Sequence, residues 1–252
     1  MTDSTVKLAV APLFAAAVLA LAAPASAQDD AATGRSTARA ELTGYWTAVV
    51  TEDWRWRMVT PPKGDYISIP LNEEGRRVAD TWDPAEDRNS CKSYGAAGVM
   101  RMPLRVRISW EDDNTLRIDT DHGMQTRLLR FAAPPEPESA DPTPQGYSRA
   151  SWGGTDIGFD RIERRMDDVS STLKVITTHL SPGYLRTNGV PYGEQTVMTE
   201  FFDRHAAYGD EWFTVTTIVN DPEHLGQEYI TSSDFKRLPD DSSWNPTACD
   251  GD

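Results

Sequence analysis

Cysteine, histidine and basic charge are all scarce in this 252-residue chain, which carries two Cys, four His and 25 Lys and Arg against 39 Asp and Glu. Cys91 and Cys249 form neither a Cys-x-x-Cys motif nor part of a compact Cys/His cluster, so no metal site and no cofactor is expected. A formal net charge of −14 argues against partners held by Lys and Arg, namely nucleic acid and anionic membrane surfaces. The Gly-x-Ser-x-Gly elbow, the phosphate-binding loop, the dinucleotide fingerprint and His-Glu-x-x-His are all missing. Their absence removes the common hydrolase, nucleotide and zinc-protease readings. Long apolar runs are missing too, with one exception.

That exception is residues 8–23, which follow Lys7 and lead into Pro24 and the small-residue site Ala25-Ser26-Ala27. A basic start, an apolar centre and an Ala-x-Ala site make a secretory signal. The run is too short and Ala-rich for a membrane span, which takes about 20 strongly apolar residues. No Cys lies near the cleavage site, which argues against a lipid anchor. The expected product starts near Gln28, has no integral membrane segment, and works outside the cytoplasm, periplasmic or secreted. A Cys91–Cys249 disulfide is allowed there, with two free thiols as the less expected alternative.

Residues 28–41 are small and polar and read as a flexible leader, residues 42–238 as a single β-rich domain, and residues 239–252 as an acidic tail. Alternation marks strands at 44–50, 104–110, 115–120, 125–131 and 146–152, then 172–178, 195–203, 211–219 and 228–238. Residues 53–58 (Asp-Trp-Arg-Trp-Arg-Met) alternate as well and read as a half-buried strand. One short helix is expected after Asn72, which can cap it, with Glu73 and Glu74 in its first turn. Gly75 weakens that helix by about 1 kcal/mol relative to Ala. A proline-rich loop at 132–145 separates two halves, and residues 153–171, with Arg161, Arg164 and Arg165, read as an exposed excursion. The fold class is mostly β: an antiparallel calycin-like barrel or a related β-sandwich with one short helix.

Two resemblances accompany this reading. Gly146-Tyr147-Ser148…Trp152, Leu173-Lys174-Val175-Ile176-Thr177-Thr178, Asn188-Gly189-Val190-Pro191-Tyr192 and Asn220-Asp221-Pro222 resemble a family of exported bacterial proteins of unknown function. That resemblance covers most of the chain after residue 27 and implies an exported β-rich fold without a known chemistry. Gly44-Tyr45-Trp46, with Lys236-Arg237 at the far end, is similar to the lipocalin-like calycin signature. It implies a basic residue of the last strand packed over the first strand's Trp.

Several residues could carry chemistry. Trp54 and Trp56 share one face of the expected strand and could wall a pocket for a ring-bearing ligand. Glu200 and Arg204 share a face of another strand and could fix polarity there, with Arg127 also on the wall. His179 stands at a strand end, where it could act as a general base with Glu200 or Asp203. The Asp119-Thr120-Asp121-His122-Gly123 stretch and Asp221-Pro222-Glu223-His224 read as turns. The leading expectation is therefore a barrel that binds a small, partly apolar or aromatic ligand, its one expected partner. The alternative is an extracytoplasmic acid–base enzyme (isomerase, cyclase or hydrolase) using His179, Glu200 and Asp203; a pocketless envelope interaction module is the third.

Overall fold

The structure, a computed structural model, describes residues 1–2, 32–87, 91–134, 141–153 and 171–249. The expected signal, the first part of the leader, and most of the excursion with Arg161, Arg164 and Arg165 lie outside the described residues. Met1–Ala31 and Ala32–Asp252 form two units, and every described strand and helix belongs to the second.

The chain runs β1 (Gly44–Val49), β2 (Arg105–Asp112), β3 (Thr115–Thr120), β4 (His122–Gly123), β5 (Thr126–Arg130), β6 (Tyr147–Trp152) and β7 (Leu173–Thr178). It continues through β8 (Gly183–Arg186), β9 (Val190–Tyr192), β10 (Val197–Ala207), β11 (Asp210–Asn220), β12 (Tyr229–Arg237) and β13 (Thr247–Ala248). Nine of these strands close a barrel in the order β1-β12-β11-β10-β7-β6-β5-β3-β2. Closure decides between the two expected architectures: the fold is a calycin-like barrel and not an open sandwich, and it leaves no edge strand in this sheet. All neighbours are antiparallel except β5 and β6, which pair parallel through Leu129↔Ser148 and Arg130↔Arg149. A parallel pair needs a crossover. The proline-rich segment supplies it, so what reads in the sequence as a boundary is a connection within one sheet.

Inward positions follow the alternation. Trp46, Phe202, Phe213 and Phe235 are fully buried at one end of the barrel. Phe213 meets Trp46 edge-on at 4.9 Å and stacks on Phe235 at 4.7 Å, so side chains fill this part of the lumen. Trp46 donates its indole N–H to the Leu42 carbonyl at 2.9 Å. Arg237, opposite Trp46 in register, lies 5.2 Å from its ring and reaches the Thr43 carbonyl.

Among the described residues there are three helices where one was expected: α1 (Trp54–Arg57), α2 (Glu73–Ala79) and α3 (Ala96–Val99), with a 3-10 turn at Cys91–Tyr94. Asn72 caps α2 by accepting from the Gly75 amide at 2.7 Å. Cys91 and Cys249 are disulfide-bonded. The tail is pinned a second time by β13, which pairs with β4. In the leader, the Gly34 carbonyl accepts from Trp152 and its amide donates to Asn114, so residues 33–37 form a turn docked on the barrel. No helix among the described residues is long and apolar enough to cross a membrane.

Candidate functional site

The expected Trp54 and Trp56 wall is not formed. Residues 54–57 make one helical turn: β1 leaves the sheet after Val49 while β12 continues, and Asp53 turns the chain with φ of 52°. Alternation over residues 53–58 argues for a strand, and here the turn at Asp53 overrides it. Trp54 is 65% exposed. Trp56 donates to Asp65 at 3.1 Å and lies between the guanidinium groups of Arg55 and Arg186. It borders a crevice of about 20 Å³, room for little more than a water.

Arg127 and Glu200 do meet, but across the barrel interior and with each other. The contact is bidentate, Nη1–Oε1 3.0 Å and Nη2–Oε2 2.5 Å, and both side chains are fully buried. Register places this pair between the aromatic layer of Phe202 and Phe213 and a second layer containing Met198 and Val219. The Ser148 and Thr177 hydroxyls bond each other at 2.8 Å, also on the inward face. Arg204 shares a strand face with Glu200, yet its guanidinium pairs with Glu211, which Arg237 also holds. His179, with φ of 55°, bonds the Thr178 hydroxyl through Nδ1. Asp203 accepts from Thr172 at the opposite end of β7, roughly 20 Å away at about 3.3 Å per residue. His179, Glu200 and Asp203 are therefore not one site.

The stretch expected to be a turn instead puts Asp119 and Thr120 at the end of β3 and His122 in β4, with a bend at Asp121 and ion pairs on both aspartates. Burial pushes the Asp119 carboxyl up, but hydrogen bonds from Thr126, Arg107 and Arg117 outweigh it and hold the group below the usual range. Asp121 accepts from the Arg105 guanidinium and from two backbone amides.

Open space lies instead beside the β8–β9 hairpin, in a groove of about 610 Å³. Its walls are Tyr184, Pro191, Tyr192, Pro182 and Val78, and its polar groups are Lys92, Glu194, Glu223 and His224. Asn188-Gly189 turns the hairpin, and the Asn188 amide clasps the carbonyls of Pro62 and Asp65. This element was missed in the sequence, although Asn-Gly between β-forming residues is a strong hairpin signal. Lys92 lies 5.2 Å from the Tyr184 ring and 3.3 Å from its hydroxyl. Burial works against the Lys92 charge, but Tyr184 and Asp87 outweigh it and raise its pKa. Burial likewise raises the Tyr184 and Tyr192 phenols, so both stay protonated.

The opposite rim is the turn after β11, stapled to α2. Asn72 donates its amide N–H to the His224 carbonyl and its side-chain N–H to the Glu223 carbonyl. Gly75 is required by this contact: a Cβ there would lie 2.2 Å from the His224 carbonyl oxygen. In an exposed helix Gly→Ala stabilises by about 1 kcal/mol. Here Gly75→Ala should instead destabilise by roughly 1–3 kcal/mol through overpacking. Urea unfolding reads the sign directly, and a raised midpoint would rule out close packing of this turn on α2.

Within the turn, Asp221 accepts from Nδ1 of His224 at 2.9 Å, from the Gly193 amide at 3.1 Å and from the Glu223 amide at 3.0 Å. The Asp221 side chain is fully buried and that of His224 is 8% exposed. A carboxylate held this way fixes the imidazole's orientation at the rim of the groove. Neither protein-family models, curated proteins nor solved structures match this chain. The groove's own chemistry therefore carries the functional reading. The sequence shows the turn at 221–224, but not that three elements would close a cavity against it.

Proposed function

We propose that this chain is an exported barrel protein that binds a small, partly apolar ligand, and that the ligand lies in the groove beside β8–β9. The groove carries the reading: its volume, about 610 Å³, falls within the range of about 300–1,000 Å³ common for small-molecule sites. Tyr184, Tyr192 and two prolines offer faces for a ring. Lys92 is engaged by Tyr184 and Asp87, so Glu194 and Glu223 set the polarity and favour a ligand with amine or hydroxyl donors. The packed aromatic layer argues against the lumen as the ligand's place. Export is supported by the basic-apolar-small pattern of residues 7–27 and by a disulfide that suits an oxidising compartment.

Ligand-observed NMR against a panel of ring-bearing amines, phenols and glycosides tests the proposal. Saturable binding is expected for at least one class, with Tyr184→Ala weakening it about tenfold, or about 1.4 kcal/mol. No saturable binder, or binding indifferent to Tyr184→Ala and Glu194→Gln, would overturn it.

A further inference from the structure

We infer that Asp221, Glu223 and His224 form a binding site for a divalent transition-metal ion of the zinc type, on the wall of the groove. One donor atom from each residue lies within 4.8 Å of the other two. Donors at about 2.0–2.2 Å from one ion are closer together than that, and the exposed Glu223 can supply the adjustment. The donor set suits such an ion: one imidazole nitrogen and two carboxylates, whose two negative charges match a divalent cation. A thiolate-rich set would select differently, and an all-oxygen set would favour calcium or magnesium.

Two further observations point to a ligand here. Glu223 and His224 line the groove, so an ion held by them has open coordination positions facing about 610 Å³ of space. Residue 193 has no side chain, which leaves room for the donors as they stand. A Cβ on Gly193 would lie 2.2 Å from the Glu223 carboxylate and 3.1 Å from Cε1 of His224. The backbone there donates its N–H to Asp221 and leaves the space beyond it to the cluster. The His224 Nδ1 and the Asp221 carboxylate already stand 2.9 Å apart, so a cation can take the place of the hydrogen they share.

This site does not rest on the groove's taking an organic ligand, because its test uses the metal alone. Zinc chloride is titrated calorimetrically into the full chain, produced without a histidine tag and stripped of metal. One ion per chain is expected, with micromolar or tighter affinity. Glu223→Gln and His224→Ala should each weaken it at least tenfold, while His205→Ala, at an exposed position of β10, leaves it unchanged. Asp221 is left intact because it anchors two backbone amides. Glu223 is exposed, so its Gln variant should keep the wild-type melting curve, separating loss of ligation from loss of fold. No stoichiometric binding, or wild-type affinity in Glu223→Gln and His224→Ala, would overturn the assignment. An unchanged affinity would mark the ion as one bound at unrelated surface carboxylates.

Discussion

Glu200→Ala is expected to lower folding stability by about 3–5 kcal/mol, because it strands a charge in the barrel interior. Arg127 and Glu200 are fully buried and meet through two parallel contacts, with the Nε of Arg127 left without a partner among the described residues. With the carboxylate gone, the guanidinium has no anion among the apolar layers above and below it. Chains of this size lose roughly 2–4 °C of melting temperature per kcal/mol, so a fall of about 6–20 °C should be seen. Replacing both members, as Arg127→Met with Glu200→Leu, should recover most of the loss, since removing a whole buried pair is often neutral. A single variant that melts within about 2 °C of wild type would mean that water reaches the pair.

Loss of the disulfide should have an effect of similar size. Cys91 and Cys249 are 158 residues apart, so the bond restricts most of the unfolded chain. A loop that long sets a ceiling near 5 kcal/mol, and losses of about 2–5 kcal/mol are typical. Without the bond, the tail is held by the short β13–β4 pairing, by the Thr247 amide on the Asp121 carbonyl, and by Trp244 packed against Tyr45 and Arg107. Cys91→Ser and reductant-treated wild type should melt together, well below the oxidised protein. Equal melting of all three would show that the bond contributes nothing to global stability, leaving it only a local role at the tail.

The strands were largely legible because alternation with period two is local. Leu116 and Ile118 point inward and Arg117 outward whatever the rest of the chain does. Asn72, Glu73 and Glu74 likewise marked the start of α2, since a cap acts within one turn. Residues 53–58 were misread as a strand because the turn at Asp53 and the departure of β1 from the sheet, not their own alternation, decide their conformation. Arg127 and Glu200 were both singled out, yet nothing local indicated that they would neutralise each other across 73 residues. Gly75 looked like a flaw in a helix and proves to be the point where α2 meets the His224 carbonyl.

By itself, then, the sequence determined a β-rich chain, its inward-facing residues and one capped helix, all properties set within a few residues. It also carries the expectation of export. Closure of the barrel, the filling of its lumen and the groove beside Tyr184, Tyr192 and His224 were decided only in three dimensions. Those features depend on which distant side chains share a volume, and that is set by packing between elements far apart in the chain.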